Sequence, residues 1–442
     1  MPLPPATPAP PNGDSGLERA LGPWTLGTNA VNLSLGGGIF ALPAVVAAVL
    51  GPAAILAYLV CGLAIALVLT CYVELGSQTT RSGGAIAYID DAFGPMAGFV
   101  AWVVYTLAYC TASIAAAALV LVDALSPSVP ALREGIPRAA SLLLLFGGLA
   151  AINIAGVRQG ARVAVATTVA KLAPLVIVIA TGFATMRWSG LGWTEWPPVA
   201  AIGEGSLLLF FAFSGAEAAL TPSGEIRDPA RTVPRGMLGG MAALVAIYVA
   251  VQMVSQGVLG AELPRQTEAP LAAVASRVLG PAGWNVMIAC TVVAIFGMIA
   301  GDMLASPRAM LPMAADGLLP AAVGRVHPRF HTPHIAIALY AAIACLLALS
   351  GTFRPLALLS SGALLIVYFV VCLAALRLRF VGPPPAGAFR APGGALVPVA
   401  GMCAAGWLLA QCSAAEATAL AGTVAAAAGY YLLRGVLRRA HH

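Results

Sequence analysis

Asn32-Leu-Ser-Leu-Gly-Gly-Gly-Ile-Phe-Ala-Leu-Pro43 sets three consecutive glycines inside an apolar run long enough to cross a bilayer. Glycine in a helix interior costs about 1 kcal/mol relative to alanine. In hydrocarbon, any backbone group freed by unwinding must find another partner or line a protein or water cavity. Gly36, Gly37 and Gly38 therefore predict an unwound segment at membrane depth, and such a segment points to a binding site.

The composition agrees. The 442 residues are 60% hydrophobic and 9% charged, against about 25% charged in soluble domains, so a water-soluble globule is excluded. Residues 1–20 are Pro-rich and polar, lack the pattern of a cleaved leader, and are expected to form a disordered cytoplasmic tail. The eight cysteines lie in apolar segments without CxxC spacing and read as reduced packing residues. The net charge of +6 comes from basic residues beside apolar spans, a topology signal and not a nucleic-acid footprint. A phosphate-binding glycine loop, a catalytic triad and a metal-ligand cluster are all missing from the sequence, so neither enzyme chemistry nor a cofactor or metal is expected.

Twelve apolar segments reach the roughly 20 residues needed per crossing: 22–49, 52–76, 95–125, 138–155, 161–186, 204–224, 236–259, 283–306, 333–351, 355–376, 394–412 and 415–434. With the N-terminus inside, sixteen arginines fall in inside loops and six in outside loops. This asymmetry predicts both termini in the cytoplasm.

The sixth segment carries a second interruption, Phe210-Phe-Ala-Phe-Ser-Gly-Ala-Glu217, five spans after the first. Paired interruptions at corresponding positions mark a site between inverted repeats, and an odd offset makes the two halves run in opposite directions. The expected fold is all-α and polytopic, twelve transmembrane helices in a five-plus-five inverted repeat with discontinuous helices 1 and 6. Its parts are residues 21–186 and 204–380 as the repeats, 393–435 as two added spans, and 436–442 as a cytoplasmic tail. The half-helix starting at Gly38 offers free N–H groups and a positive dipole end to a carboxylate. The carbonyls ending the preceding half-helices suit an ammonium. Close packing of small residues is the competing explanation of the glycines.

Lys171 is the single lysine. It lies nine residues past Arg162, about 13 Å along a helix, near mid-membrane. Burial disfavours its charged form, so it is a candidate for proton coupling or for a fixed cation in place of a sodium ion; a vestibule lysine is the plainer reading. Asp302, about 9 Å from Arg308 along its helix, is placed to pair with Lys171, bind a cationic substrate, or serve the inner surface. Glu217 is either a cap or a group that titrates with transport. Glu74 and Asp123 read as interfacial, Trp102, Tyr105 and Tyr109 as an aromatic packing stripe, and Gln252, Ser255 and Gln256 as a face for interhelical hydrogen bonds.

The segments 36–43 and 210–235, the latter ending Gly-Glu-Ile-Arg-Asp-Pro-Ala-Arg-Thr-Val-Pro-Arg, resemble the first and sixth helix signatures of the amino acid–polyamine–organocation transporters. Segments 82–88, 315–320 and 389–394 resemble that family's cytoplasmic loops, so the likeness covers nearly the whole chain after residue 20. It implies alternating-access transport of an amino acid or amine, with a small-molecule substrate, protons and the lipid bilayer as partners, no nucleic acid, and a homodimer as a compatible assembly. Family members without sodium coupling often carry a lysine in the fifth helix, which Lys171 matches. Tyr105 and Glu217 fall on positions lining or gating the site of arginine/agmatine exchangers. Phe211, Gly37 and Asp302 depart from the exchanger residues there and count against that specificity.

The sequence reading is thus an inner-membrane permease for amino acids, proton-coupled or exchanging. Gly36, Gly37, Gly38, Ile39, Tyr105, Phe211, Phe213, Ser214, Gly215 and Ala216 are assigned to substrate and Lys171, Glu217 and Asp302 to coupling. The apolar walls favour a neutral amino acid. A cationic amino acid/polyamine antiporter is the alternative, and a transporter-like sensor or partner subunit a third reading.

Overall fold

A computed structural model describes residues 21–79, 82–155, 161–381 and 387–440, with side chains for all but 161–170 and 437–440. The 1–20 tail, Arg81, the flanking Arg158 and Arg162, Arg438, Arg439 and the final two residues of the 436–442 tail lie outside those described residues or side chains. The described residues form helices α1 (Pro23–Ser34), α2 (Gly38–Leu50), α3 (Ala54–Gln78), α4 (Ala85–Phe93), α5 (Pro95–Trp102), α6 (Thr111–Leu125), α7 (Gly135–Ile154), α8 (Ala161–Thr185) and α9 (Val199–Phe213). There follow α10 (Pro229–Leu259), α11 (Pro270–Leu279), α12 (Pro281–Ala305), α13 (Met310–Ala315), α14 (His334–Ser350), α15 (Phe353–Val381), α16 (Leu396–Leu409) and α17 (Ala414–Ala440). Pro23, Pro95, Pro229, Pro270 and Pro281 each open a helix, where the missing N–H costs nothing and the ring presets φ.

Among the described residues, eight helical stretches are long and apolar enough to cross a membrane, and Lys171–Thr185, Pro270–Leu279, His334–Ser350 and Leu396–Leu409 are shorter apolar helices. The number differs from twelve partly because the 3₁₀ turn Gly51–Ala53 joins α2 to α3, so Gly38–Gln78 runs as one helical stretch. Large apolar side chains such as Leu63, Leu144 and Leu346 are exposed, the outward face expected of a chain solvated by lipid. Among the described residues the regular structure is all helical, with the apolar stretches and exposed apolar faces of a membrane protein.

Between α5 and α6 the chain continues as a π-helix over Val103–Cys110, without a proline or glycine to cause it. α3 packs against α9, α10, α15 and α16, and α1 lies along α10. Leu21 pairs with the chain beyond the second interruption, its N–H donating to Glu225 O at 3.0 Å while Arg227 N donates to Leu21 O at 3.0 Å.

Glu74, in the last turn of α3, is enclosed by protein. It is 1% exposed, takes a 2.6 Å hydrogen bond from Arg379 Nε and a 3.0 Å one from Ala391 N, and pairs again with Arg379 Nη2. Three residues on, Ser77 Oγ accepts the Phe389 N–H at 3.1 Å. Together they fasten residues 389–391, part of the 389–394 motif, to the end of α3. Asp123, by contrast, meets Arg138 at 2.6 Å with both side chains partly exposed.

Candidate functional site

The helix does unwind at the glycines. α1 ends at Ser34, Leu35 N caps back to Val31 O at 3.0 Å, Gly36 N reaches Ser34 O at 2.8 Å, and α2 starts at Gly38 without a side-chain cap. The second interruption follows α9: Ser214 is extended, Gly215 adopts φ +107, and a 3₁₀ turn runs over Ala216–Leu220.

The two breaks touch. A Cβ on Gly38 would stand 2.7 Å from Ala212 Cα, and one on Gly215 would stand 2.9 Å from Leu33 O. At Gly215 the positive φ adds a second reason for glycine. Tyr248, on α10, joins them again: its hydroxyl lies 3.0 Å from Ser34 O and 2.8 Å from Ala212 O, so one proton serves the carbonyl ends of both broken helices. Its ring packs on Phe213 at 4.6 Å between centroids. Nothing in the local sequence singled out this tyrosine.

Lys171, 8% exposed, points into the first break and donates from Nζ to Asn32 O at 2.7 Å and Leu35 O at 3.2 Å. Ser214 Oγ takes up Phe211 O at 2.7 Å. The carbonyls expected to stand uncapped at the breaks are therefore largely engaged, by an ammonium, a phenol and a hydroxyl belonging to the chain itself.

Glu217, 3% exposed, gathers three donors: Gly215 N at 2.9 Å and Tyr368 OH at 2.6 Å on Oε2, and Tyr105 OH at 3.3 Å on Oε1. It thereby caps the turn and ties the second break to α15 and the π-helix. Tyr105 leaves the packing stripe to do so, while its ring sits 5.2 Å from Tyr109. Tyr368 is a further residue the sequence did not mark.

Around the glycines the walls are apolar. Met298 Sδ fills the place of a Gly36 side chain, Ala117 and Ile295 lie 3.4–3.7 Å from that of Gly37, and Phe211 Cδ1 is 3.2 Å from that of Gly38. Ile39 and Ala216 are buried beside them. Asp302 stands apart from Lys171. Its Oδ1 accepts Ser306 Oγ at 2.9 Å and its Oδ2 accepts the hydroxyl of Tyr340 on α14. The structure thus brings Gly38, Phe211, Ala212, Ser214, Gly215 and Lys171 to the two breaks and links Tyr105 with Glu217, but turns Phe213 toward α10 and Asp302 toward α14.

A family model described as amino acid permease matches residues 21–423. The chain is 28% identical over 377 residues to the serine/threonine exchanger SteT of Bacillus subtilis, covering 83% of this chain and 84% of that protein. It is 27% identical to the methylthioribose transporter of the same organism, over 88% of this chain and 87% of the relative. It is 29% identical to the chloroplastic cationic amino acid transporter 9 of Arabidopsis thaliana, over 72% of this chain and 58% of the relative.

Proposed function

The chain belongs to the amino acid permease family, and from that premise we propose a secondary transporter that carries a neutral amino acid through a cell membrane by alternating access. Twelve spans in a five-plus-five inverted repeat would hold the two breaks at its centre, with both termini cytoplasmic as the arginine asymmetry argues. The observation that carries the reading is the direct contact of the two breaks, at Gly38–Ala212 and Gly215–Leu33. A site made of main chain at a helix N-terminus recognises the carboxylate that all α-amino acids share, and leaves side-chain choice to Met298, Ile295, Ala117 and Phe211.

Lys171 acts in this proposal as the coupling residue. Its ammonium occupies the carbonyls where a metal cation would otherwise bind, and its proton is the movable charge. Glu217 has its carboxylate committed to three donors and holds the second break in shape. The apolar walls favour a neutral amino acid, and the serine/threonine specificity in the name of one relative supports that choice.

Counterflow in liposomes containing this chain alone tests the reading. Labelled neutral amino acids should exchange saturably and independently of sodium; accumulation of only arginine, lysine or polyamines would overturn it. The cationic reading keeps one specific support, the partly exposed Asp302 on α12 together with the relative named for cationic amino acids. Asp302→Asn separates the two: a cation carrier loses affinity, a neutral carrier keeps it.

A further inference from the structure

Beyond Tyr248 on α10, about 6 to 12 Å along the helix axis, lie Gln252, Ser255 and Gln256, 1%, 0% and 5% exposed. Tyr248, Gln252 and Ser255 follow i, i+4, i+7 and share one face of the helix. The amide nitrogen and oxygen of Gln252, the Ser255 hydroxyl and the Gln256 side-chain carbonyl meet no partner among the described residues, so the interhelical bonds expected of this face are not made there. Other helix hydroxyls fold back on their own turn, as Thr291 does to Met287 O at 2.9 Å and Thr111 to Leu107 O at 2.6 Å. Ser255 does not.

Buried polar atoms without partners are uncommon in folded proteins, and here four fall within five residues. Their chemistry identifies what suits them. The Gln252 nitrogen donates, the two glutamine oxygens accept, and the serine does both; none is charged. A cation needs acceptors alone and an anion donors alone, whereas a molecule that gives and takes hydrogen bonds satisfies all four. We propose that this face of α10 is an internal water site, holding one or two ordered molecules at about three hydrogen bonds each. Water gives α10 exchangeable partners, so the helix can shift when Tyr248 changes its hold on Ser34 and Ala212 without stripping a polar atom bare.

Radiolytic hydroxyl-radical footprinting of the intact protein in lipid nanodiscs tests this, because radicals formed from bound water mark adjacent side chains that bulk solvent does not reach. Tyr248, one turn before Gln252 on the same face, is the probe; Met287, 0% exposed on α12, is the reference. Wild type should oxidise at Tyr248 severalfold faster than at Met287, after correction for intrinsic reactivity. The variant Gln252→Leu with Ser255→Ala should lose that excess while Met287 stays unchanged. Equal rates at probe and reference in wild type, which need no variant to fold, would overturn the site. So would an excess that survives in the variant, or a variant of higher Tm, the result expected of dry, unpaired atoms.

Discussion

Replacing Tyr248 by phenylalanine removes one oxygen and leaves the ring on Phe213, so the perturbation falls on the bond between the breaks and not on packing. Hydrogen bonds between membrane helices average about 0.6 kcal/mol, with about 1.7 kcal/mol at the upper end, while a buried acceptor left short costs about 1–3 kcal/mol. Tyr248 serves two carbonyls at 3.0 and 2.8 Å. Ser34 O keeps the Gly36 N–H at 2.8 Å, so Ala212 O bears most of the loss. The expected destabilisation is about 1.5–2 kcal/mol, a factor of roughly 10–30 in the population of the state in which the breaks touch. Thermal unfolding in detergent should show a lower midpoint. Counterflow should show a changed KM or exchange rate, because the bond belongs to this arrangement of the breaks. A variant with wild-type midpoint and wild-type kinetics would refute the claim that Tyr248 holds the two helix ends together.

Lys171→Ala removes two charge-assisted bonds, each worth about 1.5–3 kcal/mol before the relief of ammonium desolvation. Uptake should lose its dependence on a proton gradient while thermal-shift measurements still detect substrate, and unchanged proton-driven uptake would dismiss the coupling role. Gly38→Ala and Gly37→Ala should differ sharply: the first drives a methyl to 2.7 Å from Ala212, an overpacking cost of about 1–3 kcal/mol, whereas the second meets Ala117 at 3.4 Å. Counterflow rates of the two variants check the contrast. Glu74→Gln removes the negative charge from the pair with the partly buried Arg379 and one of the carboxylate's acceptor oxygens, and should lower yield and unfolding midpoint more than Asp123→Asn does at its more exposed pair.

What the chain declares locally was readable. Three successive glycines in an apolar run carry a backbone cost visible without any neighbour, and so does Ser214-Gly215; the structure unwinds at both. A single lysine in a bilayer-length segment declares itself through desolvation alone, and Lys171 does enter the first break. Tyr248 and Tyr368 gave no such sign, since a tyrosine in an apolar helix is ordinary. Tyr248 gains its meaning from carbonyls 214 and 36 residues away, and Tyr368 from a carboxylate 151 residues away. The surroundings of Glu74 were hidden for the same reason: nearness to a span end does not reveal the arginine 305 residues later that pairs with it. Asp302 illustrates the limit of depth as a guide, because a position along the helix says nothing of the tyrosine on α14 that it meets.

The π-helix over Val103–Cys110 also alters how this region should be compared and manipulated. An i→i+5 ladder holds one residue more per turn than its surroundings, so the surfaces of α5 and α6 are out of phase. Trp102 and Tyr109, seven apart, would be superimposed by a heptad reading, yet the wider turn rotates one away from the other. Shortening the segment by one residue would change the phase between Trp102 and the residues that follow, and with it the approach of Tyr105 to Glu217, 3.3 Å between hydroxyl and carboxylate. Deleting one residue from the segment is therefore equivalent to setting a vernier back by one mark, and scanning single deletions from 103 to 110 would locate where the offset is needed.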